Sequence, residues 1–159
     1  MGVADRVRAY YDALRSGEPL VPFFAPVDGA VKVGISERLV GGETVADGLR
    51  DQTERTTDWS VGSRDLRVTE RDRHAWFGDR VSLAWTDTDR RIRYEFDTRW
   101  SGTLELRDAP ESSVDDGNQG ADAGESGEGN ESDDAGTGTS ESDERWQFVA
   151  MHVSTARDL

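Results

Sequence analysis

The sequence predicts an α+β protein, a curved and mostly antiparallel β-sheet capped on one face by helices near the N-terminus. Two observations carry this expectation. Apolar residues in the first fifteen positions recur at helical spacing, whereas from Trp59 onward they alternate with polar ones, the period of a half-buried strand. A third observation sets the domain organisation. The most polar tract, Asp108 to Glu144, lies between two segments that read as strands of one sheet, so a single domain spanning 1–159 is expected, interrupted by an acidic loop at 108–144.

A chain of 159 residues is long enough to bury a real core. Its net charge of −14 is not spread evenly. The tract holds 13 acidic residues and no basic one, leaving 20 acids against all 19 basic residues elsewhere. With 7 glycines, 6 serines and Val114 as its sole large apolar residue, it cannot bury enough surface to offset the entropy of ordering it. A disordered, solvating loop is expected there, with a partner-binding segment as the alternative. Thirteen unopposed acids would repel phosphate, which argues against a nucleic-acid partner. No apolar run is long enough to span a membrane or to serve as a secretory signal, so a cytoplasmic protein is the expectation. Without that signal, Asn130-Glu131-Ser132 is a weak glycosylation acceptor. Among the basic residues only Lys32 is lysine, and this arginine-for-lysine, acid-rich composition reads as that of a salt-adapted organism, a halophilic archaeon.

Taken in order, Val3, Val7, Tyr10, Tyr11 and Leu14 form the apolar face of an amphipathic helix that Ser16-Gly17 stops. Glu18 to Pro26, with three prolines, reads as a short helical turn plugging one end of the core. Ala30 to Ile35 is a short strand, and Gly41-Gly42 precedes a second helix running from Glu43 to about Thr56. Gly48 inside that helix costs about 1 kcal/mol relative to alanine. Leu66 and Val68 mark the next strand. His74 to Thr86 reads as one long bent strand with a bulge at Gly78-Asp79. The clearest strand then places Ile92, Tyr94, Phe96, Thr98, Trp100, Leu104 and Leu106 on one face. Arg91, Arg93, Glu95, Asp97 and Arg99 lie on the other. Leu104-Leu106 should pair with Trp146-Phe148 as a hairpin whose turn has been lengthened.

Several pieces carry a resemblance. They are Gly34, the helix entry Gly41-Gly42-Glu43-Thr44-Val45, His74-Ala75-Trp76-Phe77, Arg99-Trp100-Ser101-Gly102-Thr103-Leu104-Glu105, and the closing Trp146-Gln147-Phe148-Val149-Ala150-Met151-His152-Val153-Ser154. The chain resembles the SnoaL-like proteins of the nuclear transport factor 2 (NTF2)-like superfamily over nearly its whole length except the acidic tract. The resemblance implies a cone with a deep pocket between sheet and helices, dimeric through the outer sheet face. The superfamily includes ketosteroid isomerases, polyketide cyclases, scytalone dehydratase and non-catalytic association domains, so fold alone selects no reaction.

Within that frame, His152 shares strand parity with Trp146, Phe148, Ala150 and Ser154 and is expected to face the pocket as a general base or hydrogen-bond donor. The bland alternative is a structural histidine. Tyr10, Phe23, Trp76, Trp85, Tyr94 and Trp100 are expected around it, either as an aromatic cage for a flat ligand or as ordinary core. Asp12, Glu37 and Asp79 are the acids worth testing as a proton acceptor, although none stands on an apolar face. Two histidines on different strands and no cysteine give no metal-ligand spacing, so no metal and no cofactor are expected. Two functions follow. One is a small-molecule pocket for an apolar or aromatic ligand with cofactor-free acid–base chemistry. The other is a non-catalytic homodimerisation or association module with a vestigial pocket.

Overall fold

The computed structural model describes residues 1–108 and 144–157. The acidic-loop expectation and the glycosylation acceptor lie outside these residues, apart from Asp108 and Glu144. Helix α1 (Val3–Ser16) is followed by a short 3-10 turn (Val21–Phe23), β1 (Val31–Val33), β2 (Arg38–Val40) and α2 (Gly42–Arg55). Five strands complete the chain: β3 (Thr56–Ser63), β4 (Arg67–Glu70), β5 (His74–Asp87), β6 (Ile92–Asp108) and β7 (Glu144–Thr155).

Helix α1 forms where the spacing predicts it, burying Val3, Val7, Tyr10, Tyr11 and Leu14. It closes at Gly17, whose φ of 69° is the left-handed conformation that glycine adopts at least cost. Each fully buried aliphatic side chain contributes about 1.5–3 kcal/mol. In α2, Gly48 is a close-approach residue, because a Cβ there would lie 2.4 Å from Leu39 Cδ1. Its propensity cost is thus set against packing of the helix on β2, a three-residue strand that the sequence reading does not separate from its surroundings.

The strands form one sheet in the order β2-β1-β7-β6-β5-β3, with β4 also paired to β5. All pairings are antiparallel except β1 with β7. Strands β5 and β6 pair without a register shift from His74↔Glu105 to Asp87↔Ile92. The bulge expected at Gly78-Asp79 is therefore absent. What changes there is the neighbour on the other edge, with β4 pairing up to Gly78 and β3 from Val81. Leu104↔Phe148 and Leu106↔Trp146 pair as the sequence predicts. The ladder runs on to Asp108↔Glu144, so these two acids end strands rather than belonging to the tract between them.

Two irregularities do occur. In β3 the register shifts between Thr57 and Ser60, where Asp58 takes a left-handed φ of 54°. In β7, Thr103 pairs with Ala150 but Leu104 pairs with Phe148, so Val149 is an extra residue. These bulges decide which side chains face the helices. The core lies between α1 and the inner face of the sheet, with Tyr10 edge-on to Phe23, Phe24, Trp100 and Phe148 at centroid distances of 5.4, 6.1, 6.1 and 5.3 Å.

Candidate functional site

Between the inner sheet face, the end of α1, α2 and the β1–β2 turn lies a cleft of about 220 Å³. Its apolar wall comes from Tyr10 and Leu14 of α1, Leu83 and Trp85 of β5, Trp100 of β6, and Met151 and Val153 of β7. Trp59 of β3 also lines it. The bulge at Asp58 sets two β3 residues opposite one of β5, and Trp59 stacks on Trp85 with ring centroids 4.9 Å apart and planes 18° from parallel. Its indole N–H donates to Thr56 Oγ1 at 2.8 Å, so the ring is held by a polar tip as well as by stacking.

The polar lining of the cleft includes Ser36, Asp51, Gln52, Arg55 and Thr56, and its buried charge is Lys32, paired with Glu37. Lys32 sits on β1 in register with Met151, on the inner face, and is 6 % exposed. Its ammonium is ion-paired and hydrogen-bonded to Glu37 Oε1. Glu37 is held by the turn, where the Gly34 N–H donates to the Glu37 carbonyl at 2.9 Å. A Cβ at position 34 would lie 2.9 Å from Glu37 Cγ, so the side chain packs directly over the glycine. Buried Tyr10 lines the same cleft, and its hydroxyl is pushed well above the usual phenol range, first by burial and then by the charge of Glu37. Asp51 and Arg55 of α2 form an exposed ion pair of 2.8 Å at the rim.

The predicted site residues are only partly brought together. Tyr10, Trp85 and Trp100 line the cleft. Phe23 packs edge-on to Tyr10 and carries the Arg6 guanidinium 4.1 Å from its ring centroid, but it does not line the cleft. Tyr94 shares the inner face, stacked on Phe96 and against Trp85, beyond the cleft wall. His152 and Trp76 are corrections. The extra residue Val149 reverses the parity of β7, so Trp146, Phe148, Met151 and Val153 point inward. His152, paired with Ser101, is exposed on the outer face. Trp76 and Trp85 are nine residues apart in a strand without a bulge and so lie on opposite faces. Trp76 is 44 % exposed, beside His74 and Arg71.

Of the three acids, Asp12 is an exposed partner of Arg15 on α1. Asp79 is 5 % exposed on the inner face, but its carboxylate is fully engaged away from the cleft. It accepts hydrogen bonds from the Tyr11 hydroxyl at 2.8 Å, the Ser63 hydroxyl at 2.6 Å and the Asp65 N–H at 3.0 Å. Glu37 alone reaches the cleft. Lys32 and Trp59 are the residues that sequence reasoning leaves out. The signal for Lys32 is its being the sole lysine; Trp59 depends on a bulge with no sequence mark. A wider groove of about 670 Å³ between the 3-10 turn and α2 is walled by Pro19, Leu20, Pro22, Phe24 and Leu49, with charged residues among its lining. Among the described residues, no helix is long and apolar enough to cross a membrane.

No family model and no curated protein matches the sequence. Solved structures do match its shape. An NTF2-like superfamily protein from Salmonella enterica is similar with a TM-score of 0.65 at 9 % identity, over 98 % of this chain and 89 % of its own. An NTF2-like protein of unknown function in nutrient uptake from Rhodospirillum rubrum gives 0.64 at 12 %, over 99 % and 100 %. A ketosteroid isomerase-like protein from Erwinia carotovora gives 0.59 at 13 %, over 98 % and 95 %. At these identities the likeness establishes the fold, an α+β NTF2-like cone, and leaves the chemistry to the residues of this chain.

Proposed function

We propose that the cleft binds a flat apolar or aromatic small molecule of one or two rings, with any chemistry being cofactor-free acid–base work at its polar end. The observation that carries this reading is one cleft with Trp59, Trp85 and Trp100 along its wall and the Lys32–Glu37 pair within it. An apolar cavity with a few convergent polar groups is the usual form of a ligand site. Its volume of about 220 Å³ lies below the ~300–1,000 Å³ typical of drug-sized ligands, hence the limit on ligand size. Glu37 and Tyr10 take the place that sequence reasoning assigns to His152.

Titration with one- and two-ring aromatics, read by tryptophan fluorescence, tests the reading. Saturable quenching is expected, weakened at least tenfold in Trp59→Leu and unchanged in His152→Ala. Absence of saturable quenching across the series, together with no small molecule released from natively purified protein in mass spectrometry, would overturn it.

A second reading, a homodimer or association module, draws support from the outer face, where Trp76 is 44 % exposed on a strand bordered by polar residues. Aromatic residues are enriched at protein interfaces relative to the rest of the surface. Sedimentation of the native chain should then give a dimer that Trp76→Glu dissociates. A monomer at all concentrations removes this reading.

A further inference from the structure

We propose that the amine of Lys32 is a nucleophile that forms an imine with an aldehyde or ketone held in the cleft, with Glu37 carrying the proton. The proposal rests on the small-molecule reading above and adds a chemical class of ligand, aryl or apolar carbonyl compounds.

Composition supplies the first argument. Wherever else this chain places a basic side chain it uses arginine, 18 times in all, and the one lysine stands at the wall of the inner cleft. A guanidinium cannot be deprotonated in a protein, whereas an ammonium can, and only the free amine attacks a carbonyl. The position that departs from the arginine rule is thus the one where an amine differs most from a guanidinium. The second argument is energetic. A buried ion pair adds little net stability, because desolvation offsets the attraction, and apolar residues of similar size often serve as well. The Lys32 side chain is 7 % exposed and that of Glu37 35 %, so the ammonium is desolvated while its partner stays within reach of water, and the pair adds little net stability.

Geometry supplies the third. Glu37 already touches the ammonium and is fixed over Gly34 by the turn, so it is placed to receive the proton. The Lys32 ammonium gives a proton to the Glu37 carboxylate, and the amine nitrogen attacks the carbonyl carbon. The C–N bond forms as the C=O π pair moves to oxygen, which takes up the second amine proton. Glu37 then returns its proton to the carbinolamine hydroxyl, the C–O bond breaks, and water leaves. The product is an iminium, so ammonium plus carbonyl compound becomes iminium plus water with no change in charge. The Glu37 carboxylate thus faces a cation before and after the reaction, and both groups are neutral in between. The ring of an aryl carbonyl would meanwhile lie against Trp59, Trp85 and Trp100.

The experiment incubates the full chain with 2-naphthaldehyde and sodium cyanoborohydride, then locates the reduced adduct by peptide mass mapping. Lys32 and the N-terminus are the only amines, so the map is unambiguous. We expect one adduct on Lys32, formed at least tenfold faster than on a free lysine amide, slowed at least tenfold in Glu37→Gln and lost in Lys32→Arg. Lys32→Met serves if arginine does not fit, and circular dichroism reports folding of each variant. Binding of 2-methylnaphthalene, which has no carbonyl, is read in parallel by tryptophan quenching. Quenching without a Lys32 adduct overturns the imine and leaves the pocket reading standing. Absence of both overturns the two together. An adduct confined to Met1, or one on Lys32 no faster than on the free amide, also overturns the proposal.

Discussion

Asp79 receives three donors from three different segments, the Tyr11 hydroxyl of α1, the Ser63 hydroxyl at the end of β3 and the Asp65 N–H beyond it. It therefore ties the N-terminal helix to the edge of the sheet, and its burial is compensated in the way that a buried carboxylate requires. Asp79→Ala should cost about 3 kcal/mol in urea unfolding, because it strands those donors, while Tyr11→Phe removes one hydrogen bond to a charged acceptor and should cost about 1.5 kcal/mol. A loss under 1 kcal/mol for Asp79→Ala would show that water replaces the carboxylate. The same burial has an alkaline consequence. Tyr11, by burial and its bond to Asp79, and Tyr10, by burial and the charge of Glu37, both hold their protons well above the ordinary value of about 10. Below pH 10 both phenols are protonated in folded and unfolded chains alike, and the contribution is fully present. As pH rises past 10 the unfolded chain loses protons that the folded one keeps, so stability falls by up to about 1.4 kcal/mol per unit for each tyrosine. Replacing both by phenylalanine should flatten stability between pH 10 and 11.5. An unchanged slope would place the alkaline loss elsewhere.

At the scale of elements, the position of α2 decides the width of the cleft, since Gly48, Asp51, Gln52 and Arg55 line it. Its first residue, Gly42, is pressed against backbone, where a Cβ would lie 2.8 Å from Val27 N and 3.0 Å from Val27 O. Gly42→Ala should therefore destabilise by about 1–3 kcal/mol through overpacking, despite the better helix propensity of alanine. A stabilised variant would mean that the 26–27 segment yields. Element by element, the sequence is informative where many residues vote together. Seven positions of β6 fall on one face, broken only at Gly102, and five of α1 share one stripe, so both elements are legible. Facing is less legible because one residue can overturn it. Val149 carries no mark of a bulge, being a β-branched residue suited to a regular strand and apolar like its neighbours Phe148 and Ala150, yet it turns His152 outward and brings Met151 and Val153 to the cleft. Asp58 is a residue type that tolerates the left-handed region, but that tolerance does not single it out. Gly78-Asp79 looks like a bulge by composition, and the uninterrupted pairing with β6 rules it out. The Lys32–Glu37 pair spans a turn, and no periodic pattern joins two residues across a turn.

For the molecule as a whole, the sheet closes through β6 and β7, whose ladder ends at Asp108 opposite Glu144. Two like charges there face each other at the end of the hairpin, and the Arg73 guanidinium offsets them by donating to Glu144 Oε1 at 3.0 Å and to the Leu106 carbonyl at 3.0 Å. Everything that builds the described core and the cleft lies outside 109–143. The sequence expectation that this tract adds nothing to the core is therefore open to a direct test. Replacing 109–143 by Asn-Gly would join the paired ends with a two-residue turn of the type that matches strand twist. If 109–143 is the loop the sequence predicts, shortening it by about four halvings lowers the closure cost by about 2 kcal/mol, at ~0.6 kcal/mol per halving. It also removes 11 of the 33 acidic residues, so self-repulsion at low salt should diminish. The shortened chain should keep the native circular dichroism spectrum, gain about 2 kcal/mol in urea unfolding at 0.1 M salt, and gain less than the parent when salt rises to 1 M, where the Debye length falls to about 3 Å. Loss of folding would assign 109–143 a structural part in the domain. A stable variant with an altered fluorescence response to the aromatic series would instead connect the tract to the cleft.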